Sequence, residues 1–384
     1  MAGPLRGIKV LEFESIGPAP FAGMLLADMG ADVLVIDRPE SPDLGVQRER
    51  RYDVMMRGKR SVTIDLKSKG STERVLDLME RADAVIEGMR PGVMERLGLG
   101  PDKALERNPK IVYGRVTGWG QSGPLAARAG HDINYIALTG VLNAIGRKNG
   151  PPVPPLNLIG DFGGGGMLLA FGVVCALVEA SRSGKGQVID AAMIDGASLL
   201  AAMFSGLLQG GNQMTEARGE NVLDTGAPWY NVYETKDGKY VSVGAIEARF
   251  FDELVRRLNL QGLAQHDRTR WPEMTAQFEK TFKSKTRDEW VEIFDGSDAC
   301  FAPVLGWSEA PRHPHSRARS AYITVNRIEQ PAPAPRFSRT PGDVLRPPPE
   351  RGEGGAEALE DWGFTVDEVE RLKSHGFGWN QGIE

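Results

Sequence analysis

The chain has 384 residues, of which 41% are hydrophobic and 25% charged, and its formal net charge is −5. That length supports two domains with a sizeable core, while the acidic balance excludes the basic footprint that nucleic acid or an anionic membrane surface demands. With Cys175 and Cys300 as the two cysteines, a disulfide scaffold and a thiolate metal site are excluded as well.

Ile8 to Phe13 is a β-rich run, Phe21 to Met29 has helical spacing, and Asp32 to Ile36 is a second buried run; together they read as a βαβ unit. Val62 to Leu66, a helix from Thr72 to Arg81, and Ala84 to Ile86 repeat the pattern. A strand over Ile111 to Val116 leads into the glycine-rich stretch 117–123. Such alternation predicts an α/β fold with an open, mostly parallel sheet. Farther along, Asp132 to Val141 and Asp161 to Ala180 read as helices, Gln187 to Ala191 as a strand, and Gly196 to Leu208 as another helix. The apolar run Met167 to Val178, interrupted by Gly172, is too short to cross a bilayer, so no membrane insertion is expected.

Trp229 to Ile246 reads as a hairpin turning at Lys236 to Gly238, with helices following near Phe250 to Leu258, Pro272 to Phe282 and Arg287 to Phe294. The proline-rich stretch 330–349 reads as an extended crossing, and Thr365 opens a terminal helix that runs to Lys373. The expected division is a large domain over 1–224, a small domain over 225–325, and a segment over 326–384 that returns to complete the large one. Cys175 and Cys300 fall in segments that read as buried helix and strand. Free thiols there, an N-terminus without a signal-peptide pattern and no peroxisomal address at Gln381 to Glu384 point to a soluble, cytoplasmic protein.

The chemistry concentrates in two segments: Gly130-His131-Asp132-Ile133-Asn134-Tyr135, and Asn157 to Asp161 running into the glycines 163–166. They offer an imidazole and a carboxylate, each beside a helix start, and glycines that let a large ligand approach the backbone. Two unlike bases suit a proton that leaves one face of a carbon and returns on the other, as in a racemisation. Each has a plainer alternative: His131, Asp132 and Asp161 can all be read as helix caps. Glu247 closes an apolar strand, either as an exposed carboxylate or as the group that holds an imidazole in its working tautomer. Arg38, just after a strand, and the cluster Arg57-Gly58-Lys59-Arg60 suit phosphates, or else a solvated face.

Other chemistries find little support. The turn at Gly17 to Gly23 lacks dinucleotide-binding glycine spacing and carries two prolines, no G-x-S-x-G elbow is present, and the histidines are not spaced as metal ligands.

The stretches 17–39, 57–67, 130–142, 155–166, 184–193, 243–254 and 294–305 together closely resemble the alpha-methylacyl-CoA racemase branch of the family III CoA-transferase group, and they span nearly the whole chain. The pairing of GHDINY with GDFGGG is the most specific part of that resemblance. It implies an interlaced homodimer, each chain having a Rossmann-like large domain built from both termini and a smaller α+β domain. It implies that His131 and Asp161 are the catalytic bases and that Glu247 supports His131, from the other subunit. Arg38, Ile64, Asp65, Leu66, Lys67, Gly130, Asp132, Ile133, Asn134 and Tyr135 are implied contacts of CoA or its acyl thioester, with Asn157, Tyr230 and Ile246 also lining the site. The implied substrate is a 2-methylacyl-CoA, with CoA as part of the thioester and no separate cofactor or metal. The rival within the group is a CoA transferase, in which an aspartate matching Asp161 attacks the thioester and forms an anhydride. A catalytically silent acyl-CoA-binding protein is the alternative outside enzymology, against which the intact His131, Asp161 and Glu247 speak.

Overall fold

The computed structural model describes residues 3–41, 45–211 and 214–379, so Gln381 to Glu384 lie outside the described residues. The chain divides into two compact units: a larger one formed by 1–139, 156–200 and 320–384, and a smaller one formed by 140–155 and 201–319. The sequence places the start of the smaller part at 225; contacts draw the division at Ala201 and add the segment 140–155.

The larger unit is built on a six-stranded sheet of β1 (Lys9–Phe13), β2 (Asp32–Asp37), β3 (Arg60–Thr63), β4 (Ala84–Glu87), β5 (Val112–Thr117) and β6 (Val188–Ala192), in the order β3-β2-β1-β4-β5-β6. Every pairing is parallel. Alternating residues feed the two faces of the sheet, as the pleat requires. Leu11, Leu34 and Val85 point to the side covered by α2 (Ser71–Arg81) and the C-terminal segment, with Trp362, Phe364 and Leu372 packed there. Val10, Val33, Ala84 and Val112 point to the side covered by α1 (Pro18–Asp28) and a long helix that packs through Leu169 and Val173. Strand order reverses between β1 and β4, which opens a crevice at the carboxyl ends of the strands where ligands of such sheets gather.

Two further helices position the crevice, α3 (Asp132–Leu138) and α5 (Met193–Leu200). Between them the long helix begins with a π-helical stretch, Leu158–Met167, and continues as α4 (Leu168–Ser183). It is longer than its apolar run suggests: Leu158–Ser183 spans 26 residues and contains an 18-residue window of mean hydropathy 1.8, enough by length and composition to cross a membrane. Only 39% of its most apolar window is buried within the chain.

The proline-rich stretch is irregular from 332 to 354, as expected, and is preceded by an unexpected hairpin of Tyr322–Val325 and Ile328–Pro331. Thr365 and Glu368 cap the helix Val366–Ser374 reciprocally, the Thr365 N–H donating to Glu368 Oε2 at 2.7 Å.

The smaller unit holds the antiparallel sheet β7 (Tyr230–Glu234), β8 (Tyr240–Gly244) and β9 (Phe301–Pro303). Its core is aromatic: Trp229, Tyr233, Phe251, Trp271, Phe278, Phe282, Trp290 and Phe294 pack together. Phe282 stacks on Tyr233 at 5.1 Å and meets the edge of Trp290 at 5.2 Å. Both cysteines are free, and both are exposed rather than buried as the sequence suggests.

Candidate active site

Gly17, the N-cap of α1, has φ of +68°, a conformation that suits glycine, and a β-carbon built there would lie 3.2 Å from Asp161 Oδ2. The backbone leaving β1 therefore runs directly beneath the Asp161 carboxylate. Asn157 donates its side-chain N–H to the same oxygen at 3.0 Å. Burial raises the Asp161 pKa above its ordinary value, the Asn157 hydrogen bond opposes the rise, the Asp132 charge adds to it, and His131 works against it. The result is a carboxyl nearer to working range for proton transfer than a solvated aspartate.

Asp161 is not a helix cap. It lies inside the π-helical turn, and π-helical turns concentrate at functional sites. The capping carboxylate is Asp132, which is 4% exposed and whose Oδ2 accepts the Gly160 N–H at 2.6 Å and the Asp161 N–H at 2.8 Å. Those two N–H groups are thereby taken and cannot serve a charge developing on a ligand. Asp132 instead fixes the peptide from which the Asp161 side chain springs, while its Oδ1 is buried with no hydrogen-bond partner among the described residues.

The same α3 start carries His131, whose N–H donates to Asn134 Oδ1 at 3.1 Å and whose side chain is exposed. Ile133 and Asn134 are exposed beside it. Tyr135 turns inward. Its hydroxyl donates to the Gly130 carbonyl, its ring meets Trp119 edge-on at 4.8 Å, and burial pushes its pKa up to about 12. The structure thus brings His131, Asp132, Asn157 and Asp161 to one end of the larger unit, with Gly130 and Tyr135 bracing the turn.

The glycines 163–166 do something other than admit a ligand. A β-carbon on Gly164 would lie 2.7 Å from the Ala197 nitrogen, and one on Gly196 would lie 2.0 Å from the Gly164 carbonyl oxygen. Gly165 and Gly166 are equally pressed against Pro18. They let the π-helical stretch sink between α1 and α5, and so set its depth.

The two basic clusters separate. Arg57, Lys59 and Arg60 are 3%, 0% and 3% exposed. Arg57 forks onto Asp28 at 2.6 and 3.0 Å, Lys59 meets Glu12 at 2.6 Å, and Arg60 bridges Asp32 and Asp361. This cluster leads into β3 and ends on its first residue, Arg60, away from the carboxyl ends of the strands, and is structural. Arg38 follows β2 at the carboxyl end, its side chain 42% exposed. After β3, Asp65 and Lys67 are exposed, with the Lys67 N–H donating to Asp65 Oδ1 at 2.9 Å, and Leu66 is half-buried. Ile64 is 1% exposed, its side chain within the core and its N–H donating to the Asp37 carbonyl at 3.0 Å, so the structure does not present it to a ligand.

In the smaller unit, Glu247 is exposed at the N-cap of the helix Ala248–Arg257, Ile246 is exposed beside it, and Tyr230 is half-buried at the start of β7. Gln265, which sequence reasoning missed, is buried and donates to the carbonyls of Ala245 and Ile246 at 3.1 and 2.7 Å, shaping the turn that presents Glu247. Its signal in the sequence is a single amide in a polar loop, with nothing local to mark it. Among the described residues no cluster of His, Cys, Asp and Glu is arranged to hold a metal ion.

Residues 5–354 match the family model of CoA-transferase family III. The chain belongs to CoA-transferase family III. Within that family it is 44% identical over 375 residues to mouse alpha-methylacyl-CoA racemase and 43% identical over 377 residues to the human enzyme, covering 96% of this chain and 96% of the relative in each case. Human succinyl-CoA:glutarate CoA-transferase is 28% identical, over 93% of this chain and 86% of its own. Among solved structures, a CAIB/BAIF family protein from Brucella suis superposes with a TM-score of 0.81 at 26% identity, over 94% of this chain and 100% of that one.

Proposed function

We propose that the protein is a racemase that interconverts (2R)- and (2S)-2-methylacyl-CoA thioesters by moving a proton between two bases. The observation that carries this reading is the pairing at one site of an exposed imidazole, His131, with a partly buried carboxyl, Asp161, whose pKa is raised and whose backbone is clamped by Asp132. The identity of 44% to a racemase, against 28% to a transferase, supports it over the anhydride alternative.

The α-hydrogen of a thioester is weakly acidic. On this reading one of the two bases takes it, the negative charge passes to the thioester oxygen as an enolate, and the protonated form of the other base returns a proton to the opposite face. His131 and Asp161 exchange roles with the hand of the substrate, so each must start deprotonated for one direction, as neutral imidazole or as carboxylate, and protonated for the other. CoA enters as part of the substrate, and no further cofactor is called for. On this reading Arg38, the segment Asp65 to Lys67 and the turn 130–135 contact CoA or its acyl thioester, and Asn157, Tyr230 and Ile246 line the site.

We further propose that the working form is a homodimer in which Glu247 acts across the subunit boundary to orient the imidazole. Met167, Phe171 and Val178 are 50%, 66% and 46% exposed and recur along one face of the long helix, an apolar stripe that a second subunit would cover. On this reading the stripe is a subunit interface and the enzyme is soluble rather than membrane-inserted. The exposed free thiols Cys175 and Cys300 suit the reducing cytoplasm.

The test is incubation with one enantiomer of a 2-methylacyl-CoA in D2O, with no second acid present. Exchange of the α-hydrogen with loss of optical purity is expected, and His131→Ala or Asp161→Ala abolishes both while CoA still binds. CoA transfer to an added carboxylic acid without α-exchange would move the protein to the transferase branch.

A further inference from the structure

Arg38 is held by its own peptide rather than by its side chain. Glu14, which follows β1, accepts the Arg38 N–H on Oε2 at 2.9 Å and receives Arg351 Nη2 on Oε1 at 2.5 Å. Arg351 Nη1 closes the ring by donating to the Arg38 carbonyl at 2.9 Å, across 313 positions of sequence. Arg351 itself is stitched to β3, because the Gly352 N–H donates to Ser61 Oγ and the Ser61 N–H donates to the Glu353 carbonyl, both at 2.9 Å. Within this rigid ring the Arg38 side chain is 42% exposed, and its Nη1, 3.9 Å from Glu14, is buried with no hydrogen-bond partner among the described residues. A guanidinium whose backbone is locked, whose side chain stays 42% exposed and whose one ion pair is a loose 3.9 Å contact with Glu14 is prepared for an anionic ligand.

We infer that Arg351 and Glu14 are positioning residues that set Arg38 against the nucleotide end of acyl-CoA. The inference rests on the reading of Arg38 as a CoA contact. The geometry specifies which end: Asp161 lies over the exit of β1, Arg38 follows β2 and Lys67 follows β3, so a ligand reacting at Asp161 reaches Arg38 with a part remote from its thioester. Loss of the clamp leaves the chemistry intact but makes the ligand order Arg38 for itself, which weakens binding without slowing turnover.

The experiment compares an acyl-CoA with the corresponding acyl-pantetheine thioester, which lacks the nucleotide. Arg351→Ala is expected to raise KM for acyl-CoA on the order of tenfold with little change in kcat, and to leave both constants for acyl-pantetheine unchanged. Arg351→Lys, which loses the fork, shows a smaller rise of the same kind. Glu14→Gln, which keeps an acceptor for the Arg38 N–H, provides a second variant should Arg351→Ala fold poorly. Combining Arg38→Ala with Arg351→Ala costs no more than Arg38→Ala alone. Equal losses on both thioesters would make Arg351 a mere latch for the C-terminal segment and overturn the inference. An Arg38→Ala enzyme with unaltered KM for acyl-CoA would remove the reading of Arg38 itself.

Discussion

Two arginine-bearing segments of the larger unit look alike in sequence and differ in every physical respect. Arg57, Lys59 and Arg60 stand at the entry to a strand and are buried against Asp28, Glu12, Asp32 and Asp361. Arg38 stands after a strand, half-exposed, with a single loose ion pair to Glu14 at 3.9 Å. The difference teaches that basic residues in an open parallel sheet are sorted by which end of the strand they adjoin. At the carboxyl ends, the Arg38 cation keeps only a loose ion pair, 3.9 Å from Glu14; around the start of β3 each cation is held by carboxylates at 2.5 to 2.6 Å.

Lys59→Ala is the harshest test of that contrast. It leaves the Glu12 carboxylate buried and uncompensated, and denaturant melting should show a loss of about 3–5 kcal/mol. A variant of normal stability with weakened acyl-CoA binding would instead put Lys59 among the ligand groups. Asp132→Ala, at the carboxyl end, strands two N–H groups rather than a charge. Its cost should be about 1–3 kcal/mol, accompanied by a fall in α-hydrogen exchange, since Asp161 loses the clamp on its peptide. Exchange at the normal rate would show that Asp132 is only a cap.

Asn157→Ala makes the smallest change and reads the carboxylate itself. The Asn157 donor stabilises the ionised form and holds the Asp161 pKa down against burial. Without it the pKa rises further, so the acid limb of the pH–rate profile, in the direction that needs ionised Asp161, should move to higher pH. A shift to lower pH would contradict the assignment of that limb to Asp161.

Much of the fold was legible. Val10, Leu11, Val33, Leu34 and Val112 mark strands by short apolar runs with flanking turns, and Thr365 with Glu368 announces a helix by a local exchange of hydrogen bonds. His131, Asp161 and their polar neighbours were legible as a cluster because each stands beside the start of a helical pattern. What escaped was set by contacts distant in sequence. The ion pair of Arg57 spans to Asp28 and the clamp on Arg38 comes from Arg351, neither of which leaves a local pattern. The glycines 163–166 read equally well as room for a ligand or room for a neighbouring helix, and only Gly196 and Pro18 decide between them. The helix Gly355–Asp361 was missed because its apolar residues are few and its anchor is the sheet edge at Ser61.

The π-helical stretch that carries Asp161 closes its hydrogen bonds one residue later than an α-helix does. That turn therefore holds one peptide more than a regular helix would need. Removing a single residue there would let the backbone relax into the commoner winding, and each residue removed beyond that would rotate all that precedes the excision by about 100°. The direction in which the carboxylate points is thus governed by a count of residues as much as by their identity, and changes of length in this stretch would redirect it in steps rather than by degrees.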